Sequence, residues 1–175
     1  MSTEGFTGTF HQKVDSKARV SIPASFRRKL DLEDPVSADY PKTRIVMVYG
    51  GRRRKFVECY TMVSAAELYA QIKNMPFGSK DQARAERDFI EDSQTVEIDD
   101  DGRIVLPPAV REKLGLAGAE LDGGAVATFT AATGRFKLWR NDIWKAERVA
   151  LEEEEVDEDD DVDPLARIAR YNPKA

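Results

Sequence analysis

The chain has 175 residues, of which 41% are hydrophobic and 34% charged, and its formal net charge is −5. This length allows one ordinary hydrophobic core or two small ones, and the longest apolar runs fall well short of the ~18 residues of a membrane span. A single cysteine, Cys59, excludes a disulfide framework, and the start of the chain has no signal-peptide pattern, so composition predicts a cytoplasmic protein without a membrane partner.

The charge is distributed unevenly along the chain. Residues 151–175 contain ten acidic and three basic residues, a local charge of −7, which leaves +2 for residues 1–150. The first thirty residues contain six Lys or Arg side chains and two acidic ones. The N-terminal part is therefore a basic patch, and the acidic C-terminal part is expected to be disordered.

The first predicted element is a turn, strand and helix over Val14–Leu30, and the same unit returns at Ile98–Leu114. At an offset of 84 residues the two stretches share six identical residues, and four further positions exchange one apolar residue for another. In each copy a period of two indicates a strand, a proline ends it, and apolar residues four apart mark a helix face. Gly115 is expected to cap the second helix. The pattern indicates an internal duplication.

The residues after each copy predict a β-hairpin, and helices are expected between the two halves and after the second. The strands are predicted at 44–49 and 55–60, around Gly50-Gly51, and at 125–129 and 135–139. The helices are predicted over 64–74 and 79–91, with Ser64 and Ser79 as N-caps, and over 141–151.

These elements predict a mainly β fold with short helices, of the α+β class. A unit of ~50 residues buries little surface alone, so the two copies are expected to pack as a pseudo-dimer about a twofold axis. The predicted divisions are a first domain at 5–62, a helical connector at 63–91, a second domain at 92–140, a C-terminal helix at 141–151 and an acidic tail at 152–175.

The repeated unit reads apolar–Asp–x–x–x–Arg–apolar–x–apolar–Pro–x–x–x–Arg–x–x–Leu, which resembles the swapped-hairpin DNA-binding domain of the AbrB and SpoVT regulators. Two such units behind Phe6-x-Gly8 resemble the MraZ family over about residues 5–150. The resemblance implies two tandem swapped-hairpin units, a homo-oligomeric ring and a nucleoid-associated transcriptional regulator, usually a repressor. It also implies binding to short G-rich direct repeats in the double-stranded promoter DNA of its own division and cell-wall gene cluster.

The resemblance further implies that Arg19 and Arg103 read DNA bases, with Asp15 and Asp99 as their acidic partners. The chain departs from the family in having Thr7 where an arginine is common. It also has Ala18 where glycine is common, and because alanine tolerates a positive φ poorly, a different turn is expected there.

The residue chemistry suits DNA. The arginine fork can donate two hydrogen bonds to guanine, and an aspartate that orients it reduces the entropy lost on binding. Either Asp–Arg pair is alternatively a purely structural clamp. Because Asp99-Asp100-Asp101 repels phosphate, the second copy is expected to serve mainly folding and ring contacts. Phosphate contacts are expected from Lys13, Lys17, Arg27, Arg28 and Lys29.

No motif predicts an enzyme, a metal, a cofactor or a small-molecule substrate. The calcium-like pattern that begins at Glu97 has Pro108 in place of its bidentate glutamate, and His11 is the only histidine. The run from Arg52 to Lys55 is either a solvated hairpin tip or a phosphate clamp. The acidic tail either keeps the chain soluble or competes with DNA for the basic patch. The alternative function is an AbrB-type antitoxin or interaction module that neutralises a partner through this tail.

Overall fold

The computed structural model describes residues 5–157 and 162–172. It is mainly antiparallel β-sheet with short helices, which confirms the predicted fold class, and it divides into two compact units after Asn141. The strands are β1 (Thr9–Lys13), β2 (Arg19–Ser21), β3 (Arg44–Val48), β4 (Val57–Tyr60), β5 (Ser93–Glu97), β6 (Arg103–Val105), β7 (Val126–Ala132) and β8 (Arg135–Arg140). The helices are α1 (Ala24–Glu33), α2 (Met62–Lys73), α3 (Lys80–Glu86), α4 (Pro108–Leu114), α5 (Ala119–Asp122), α6 (Asn141–Asp157) and α7 (Pro164–Tyr171), with a π-helix at Arg87–Glu91.

The strands of the two copies are interleaved. One sheet has the order β1-β7-β8-β4-β3-β5, and a separate two-stranded ribbon pairs β2 with β6. The first copy thus places β1 beside β7 of the second, while the second copy places β5 beside β3 of the first. The predicted hairpins β3–β4 and β7–β8 are both present. Each copy therefore completes the sheet of the other.

The main hydrophobic core takes residues from both copies. Phe26 on α1 is fully buried, and its ring centroid lies 5.0 Å from that of Phe136 and 6.4 Å from that of Phe129, both in the second copy. Phe6 packs edge-on against Phe26 at 5.2 Å. Burying one such side chain stabilises the fold by about 1.5–3 kcal/mol, so the shared aromatic cluster holds the two copies in one core.

The helix ends follow local signals with one correction. Gly115 ends α4 with φ +66°, as predicted, and the Ser79 hydroxyl caps α3 by accepting from the backbone of Gln82. The N-cap of α2, however, is Thr61 and not Ser64. Ser64 lies at the third helical position, where its hydroxyl oxygen accepts from the backbone N–H of Thr61 while the Thr61 hydroxyl oxygen accepts from the backbone N–H of Ser64. This reciprocal capping box places the N-cap three residues earlier than predicted.

Helical structure extends beyond the prediction in the C-terminal part. The helix predicted at 141–151 continues to Asp157, and α7 begins at Pro164 behind an Asp163 N-cap. Glutamate favours helix, and an Arg148–Glu152 pair at 3.3 Å supports this turn. The rest of the predicted disordered tail, residues 158–161 and 173–175, lies outside the described residues. No helix within the described ranges has the length and apolarity needed to cross a membrane.

The carboxylate of Asp34 ties the end of α1 to the start of β3. Its Oδ1 accepts from Arg44 Nη2 at 2.7 Å, and its Oδ2 accepts from Arg44 Nε at 3.0 Å and from the Arg44 backbone N–H at 2.8 Å. These hydrogen bonds from Arg44 hold the pKa of Asp34 below its usual range although the residue is buried. A lowered pKa in the folded state means stability that is present above the unfolded-state pKa and is lost as the pH falls.

We therefore expect Asp34→Asn to lower the free energy of unfolding at pH 7 by about 1–3 kcal/mol, the cost of weakening buried hydrogen bonds to a charged group. The deficit should shrink as the pH falls below about 4, because the unfolded wild-type chain then takes up a proton at Asp34 that the folded carboxylate resists. Urea unfolding at pH 7 and pH 3 measures both effects. The control is Asp81→Asn, whose pair with Arg84 is exposed. An equal loss at both pH values would contradict this account of Asp34.

Candidate nucleic-acid interface

The β2–β6 ribbon places the two signature arginines on one face. Val20 and Ile104 pair at its centre and are buried in the core. Because side chains alternate along a strand, the neighbouring residues point the other way and form what we call the outward face. In the register, Arg19 lies opposite Val105 and Ser21 lies opposite Arg103. The two arginines are thus diagonal neighbours, about 7–8 Å apart between Cα atoms.

In the first loop, the carboxylate of Asp15 organises both backbone and side chain. Its Oδ1 accepts from the backbone N–H groups of Lys17 and Arg19 at 3.0 and 2.9 Å. Its Oδ2 accepts from Arg19 Nε at 2.7 Å. Only 34% of the Arg19 side chain is exposed. The guanidinium is therefore held close to the loop instead of extending freely into solvent.

The second loop has the same backbone but a different arginine geometry. Asp99 Oδ1 accepts from the backbone N–H groups of Asp101 and Arg103, both at 2.9 Å. The Arg103 Nε lies 3.6 Å from Asp99 Oδ2, while its Nη2 donates to Asp101 Oδ2 at 3.0 Å. Arg103 is consequently shared between two carboxylates, whereas Arg19 has one well-aligned partner.

The backbone hydrogen bonds stabilise the ionised form of both carboxylates. The N–H of Arg19 is the main cause of the lowered pKa of Asp15, and the N–H of Arg103 has the same effect on the pKa of Asp99. Lys42 contributes a further favourable charge to Asp99. Each aspartate therefore presents an ionised carboxylate that can accept hydrogen bonds from the arginine beside it.

The different turn expected from Ala18 is not observed. Ala18 has φ +59° and Gly102, its equivalent, has φ +74°. Both residues donate their N–H to the aspartate carbonyl, at 2.9 and 3.0 Å. Ala18 is buried and its carbonyl accepts from Leu106 at 2.8 Å, so packing and pairing outweigh the ~1–2 kcal/mol that a left-handed alanine costs.

The five expected phosphate contacts lie in different surroundings. Lys13, Lys17 and Arg28 are exposed, and Arg27 is half-buried. Lys29, by contrast, is buried and forms an ion pair with Glu33 on its own helix. This pairing removes the Lys29 ammonium from the exposed basic surface.

Arg27 reaches from the first copy onto the second loop. A Cβ atom built on Gly102 would lie 1.9 Å from Arg27 Nη1 and 2.6 Å from Arg27 Cζ. The Nε of Arg27 is buried and has no hydrogen-bond partner in the described part of the chain. Arg27 therefore packs over Gly102, and this contact helps to fix the second loop.

The arginines of the run at 52–55 lie in different surroundings. Arg54 pairs with the buried Glu58, whereas Arg52 and Arg53 are exposed. Within residues 5–157 and 162–172, no group of three His, Cys, Asp or Glu side chains can hold a metal ion. Sequence reasoning missed Ser21 and Val105, which share the outward face with the arginines. Their period-two spacing from Arg19 and Arg103 was a usable signal.

The amino-acid sequence that forms this site matches a known protein family. A family model described as "MraZ protein, putative antitoxin-like" matches residues 6–88. The Transcriptional regulator MraZ of Cereibacter sphaeroides (strain KD131 / KCTC 12085) is 45% identical over 150 residues, which cover 86% of this chain and 88% of the relative. The Transcriptional regulator MraZ of Ruegeria sp. (strain TM1040) is 42% identical over 161 residues, covering 91% and 92% of the two chains.

We expect Gly102→Ala to destabilise the protein more than Gly134→Ala. Both glycines have a positive φ, +74° and +70°, but a Cβ at Gly134 would meet no atom within 4 Å. The control should therefore cost only the backbone strain of about 1–2 kcal/mol. Gly102→Ala should cost a further ~1–3 kcal/mol because it displaces Arg27.

Urea unfolding of the two single variants, of Arg27→Ala and of the Arg27→Ala/Gly102→Ala double variant measures this coupling. The excess cost of Gly102→Ala should disappear in the Arg27→Ala background. Strict additivity of the two changes would contradict a contact between Arg27 and the second loop.

Proposed function

The chain belongs to the MraZ family, and we propose that it is a transcriptional regulator that binds double-stranded promoter DNA through the outward face of the β2–β6 ribbon. The observation that carries this proposal is the pair of aspartate-held arginines on one face of a two-stranded ribbon. The major groove of B-DNA admits such a ribbon, and arginine is the side chain that most often reads guanine there.

Arg19 is the principal base reader in this proposal. Asp15 holds it through Nε, so the two Nη groups at the end of the fork can donate to O6 and N7 of a guanine. Because Asp15 fixes the side chain before binding, less conformational entropy is lost on contact. Asp15 itself stays away from DNA, where its charge would meet phosphate.

Arg103 contributes less than Arg19 to base recognition in this proposal. Its Nη2 donates to Asp101, so Arg103 must break this ion pair before that group can contact a base. In addition, three consecutive aspartates oppose the approach of phosphate. The second loop therefore positions the ribbon and contributes less to the choice of base. Asp99 has the orienting role that Asp15 has in the first loop.

The exposed basic residues of the first copy supply sequence-independent affinity. Lys13, Lys17 and Arg28 contact phosphates, which sets the register of the protein on the duplex and makes binding depend on salt. Arg27 contributes to this surface only with the part of its guanidinium that does not pack on Gly102.

In this proposal the protein represses its own division and cell-wall gene cluster. It forms a homo-oligomeric ring that reads short G-rich direct repeats. Strands β1 and β5 lie at opposite edges of the six-stranded sheet. When one surface of a chain binds a different surface of the next chain, the assembly closes into a ring if the rotation between neighbouring chains divides a full turn. A row of identical modules in turn suits direct repeats spaced in phase with the DNA helix.

We expect the protein to form a closed oligomer with one defined number of chains at physiological salt. Native mass spectrometry and light scattering coupled to size exclusion measure this number. A monomer at all accessible concentrations would contradict the ring, and it would leave the DNA contacts of a single ribbon open to test separately.

We expect Arg19→Ala to lose about 1–3 kcal/mol of discrimination for the cognate site, a roughly 5- to 150-fold loss of preference over random DNA. DNase footprinting and fluorescence anisotropy on the DNA upstream of the protein's own gene measure it. Arg103→Ala should lose less, and Arg84→Ala on the exposed face of α3 is the control. An unchanged preference in Arg19→Ala would contradict its role as base reader.

Lys17→Ala should weaken binding to all sequences about equally. It should also reduce the slope of log K against log salt by about 1, because one phosphate contact is lost. Lys29→Ala should leave this slope unchanged, since the ammonium of Lys29 is paired with Glu33. A titration of both variants against cognate and random duplexes between 50 and 200 mM salt, the usual range for such slopes, checks both statements.

A further inference from the structure

Val105 is an apolar residue in a position where a solvated strand would carry a polar one. It is 57% exposed, and it lies on the outward face directly opposite Arg19. The equivalent residue of the first copy is Ser21. The outward face thus has two unequal pairs, one of arginine with valine and one of serine with arginine.

The geometry of Arg19 lets the short Val105 side chain reach the same surface. A freely extended arginine would stand well beyond a valine and keep it away from a flat partner. Here Asp15, which is itself bonded to the loop backbone, holds Arg19 Nε at 2.7 Å. The guanidinium therefore stays close to the first loop, so that its end and the methyl groups of Val105 can contact one surface together.

The chemistry of the major groove offers one apolar partner. Among the four bases only thymine presents a methyl group there, at C5, and apolar side chains recognise it. Residues directly opposite in an antiparallel ribbon have Cβ atoms about 4.5–5.5 Å apart, while stacked bases are about 3.4 Å apart. When Arg19 contacts a guanine, Val105 consequently falls on the neighbouring base pair.

We propose that Val105 is a specificity-determining residue that reads the C5 methyl group of a thymine next to the guanine bound by Arg19. This inference rests on the proposed function, since it requires that the outward face enters the major groove. Ser21 cannot make the same distinction, because a hydroxyl bonds to several bases. Thymine selectivity is therefore confined to the Arg19–Val105 pair.

The test replaces single thymines of the footprinted repeat by deoxyuridine, which lacks only the C5 methyl group. For the wild-type protein, one such replacement beside a guanine should weaken binding about fourfold, the effect of losing one buried methyl contact. Val105→Ser and Val105→Gly, neither of which has a methyl group, should bind the thymine site more weakly and should show no further loss with deoxyuridine. Val105→Ser gives this position the residue of its equivalent in the first copy, Ser21, and Val63→Ser, at a partly exposed valine of α2 outside the ribbon, is the matched control and should retain the wild-type response.

The outcomes separate this inference from the proposed function. If the wild type protects defined repeats but no deoxyuridine substitution weakens it, or if the Val105 variants lose as much as the wild type, the inference is overturned and DNA binding stands. A protected repeat without thymine beside its guanines overturns it as well. If the wild type shows no preference for any promoter sequence, the proposed function fails and the inference fails with it.

Discussion

β2 and β6 contain only three residues each, and a lone two-stranded ribbon of this length has little stability of its own. What holds it is a pair of backbone hydrogen bonds that cross between the copies. Ile22 donates to the carbonyl of Gly102 at 2.9 Å, and Leu106 donates to the carbonyl of Ala18 at 2.8 Å. Each loop is thereby fixed to the strand end of the other copy. The position of both arginines, and the burial of Val20 and Ile104 beneath them, depends on this exchange.

The sequence predicted most features that depend on neighbours along the chain, but it put the N-cap of α2 at Ser64 instead of Thr61 and expected a different turn at Ala18. Strands β2 and β6 and helices α1 and α4 follow from periods of two and of three to four residues, and Gly115 and Ser79 are local caps. The interleaving was not predictable, because the contact between His11 and Thr128 joins residues 117 positions apart. The burial of Lys29 was also hidden, since the Glu33 carboxylate with which it pairs is held from the other side by Thr61.

In the candidate site, too, the sequence predicts local pairs of residues but not the detailed geometry of their contacts. The spacing of Asp15 and Arg19 was enough to predict that the two side chains can pair, because the two residues close one turn. The unequal quality of the two pairs depends on coordinates: Arg19 Nε lies 2.7 Å from Asp15, but Arg103 Nε lies 3.6 Å from Asp99 while Asp101 takes its Nη2. Period-two spacing could have put Val105 on the outward face, but only the register of β2 and β6 shows that it lies opposite Arg19.

Joining both copies in one chain removes the symmetry that two identical chains would impose. A ribbon made by two identical subunits presents the same residues on both strands and therefore suits a palindromic site. Here one end of the outward face carries Arg19 with Val105, and the other carries Ser21 with Arg103 beside three aspartates. Such a ribbon has a direction, so in the proposed function it favours one orientation on the duplex. Successive ribbons in an oligomer then match direct repeats, in which every site points the same way.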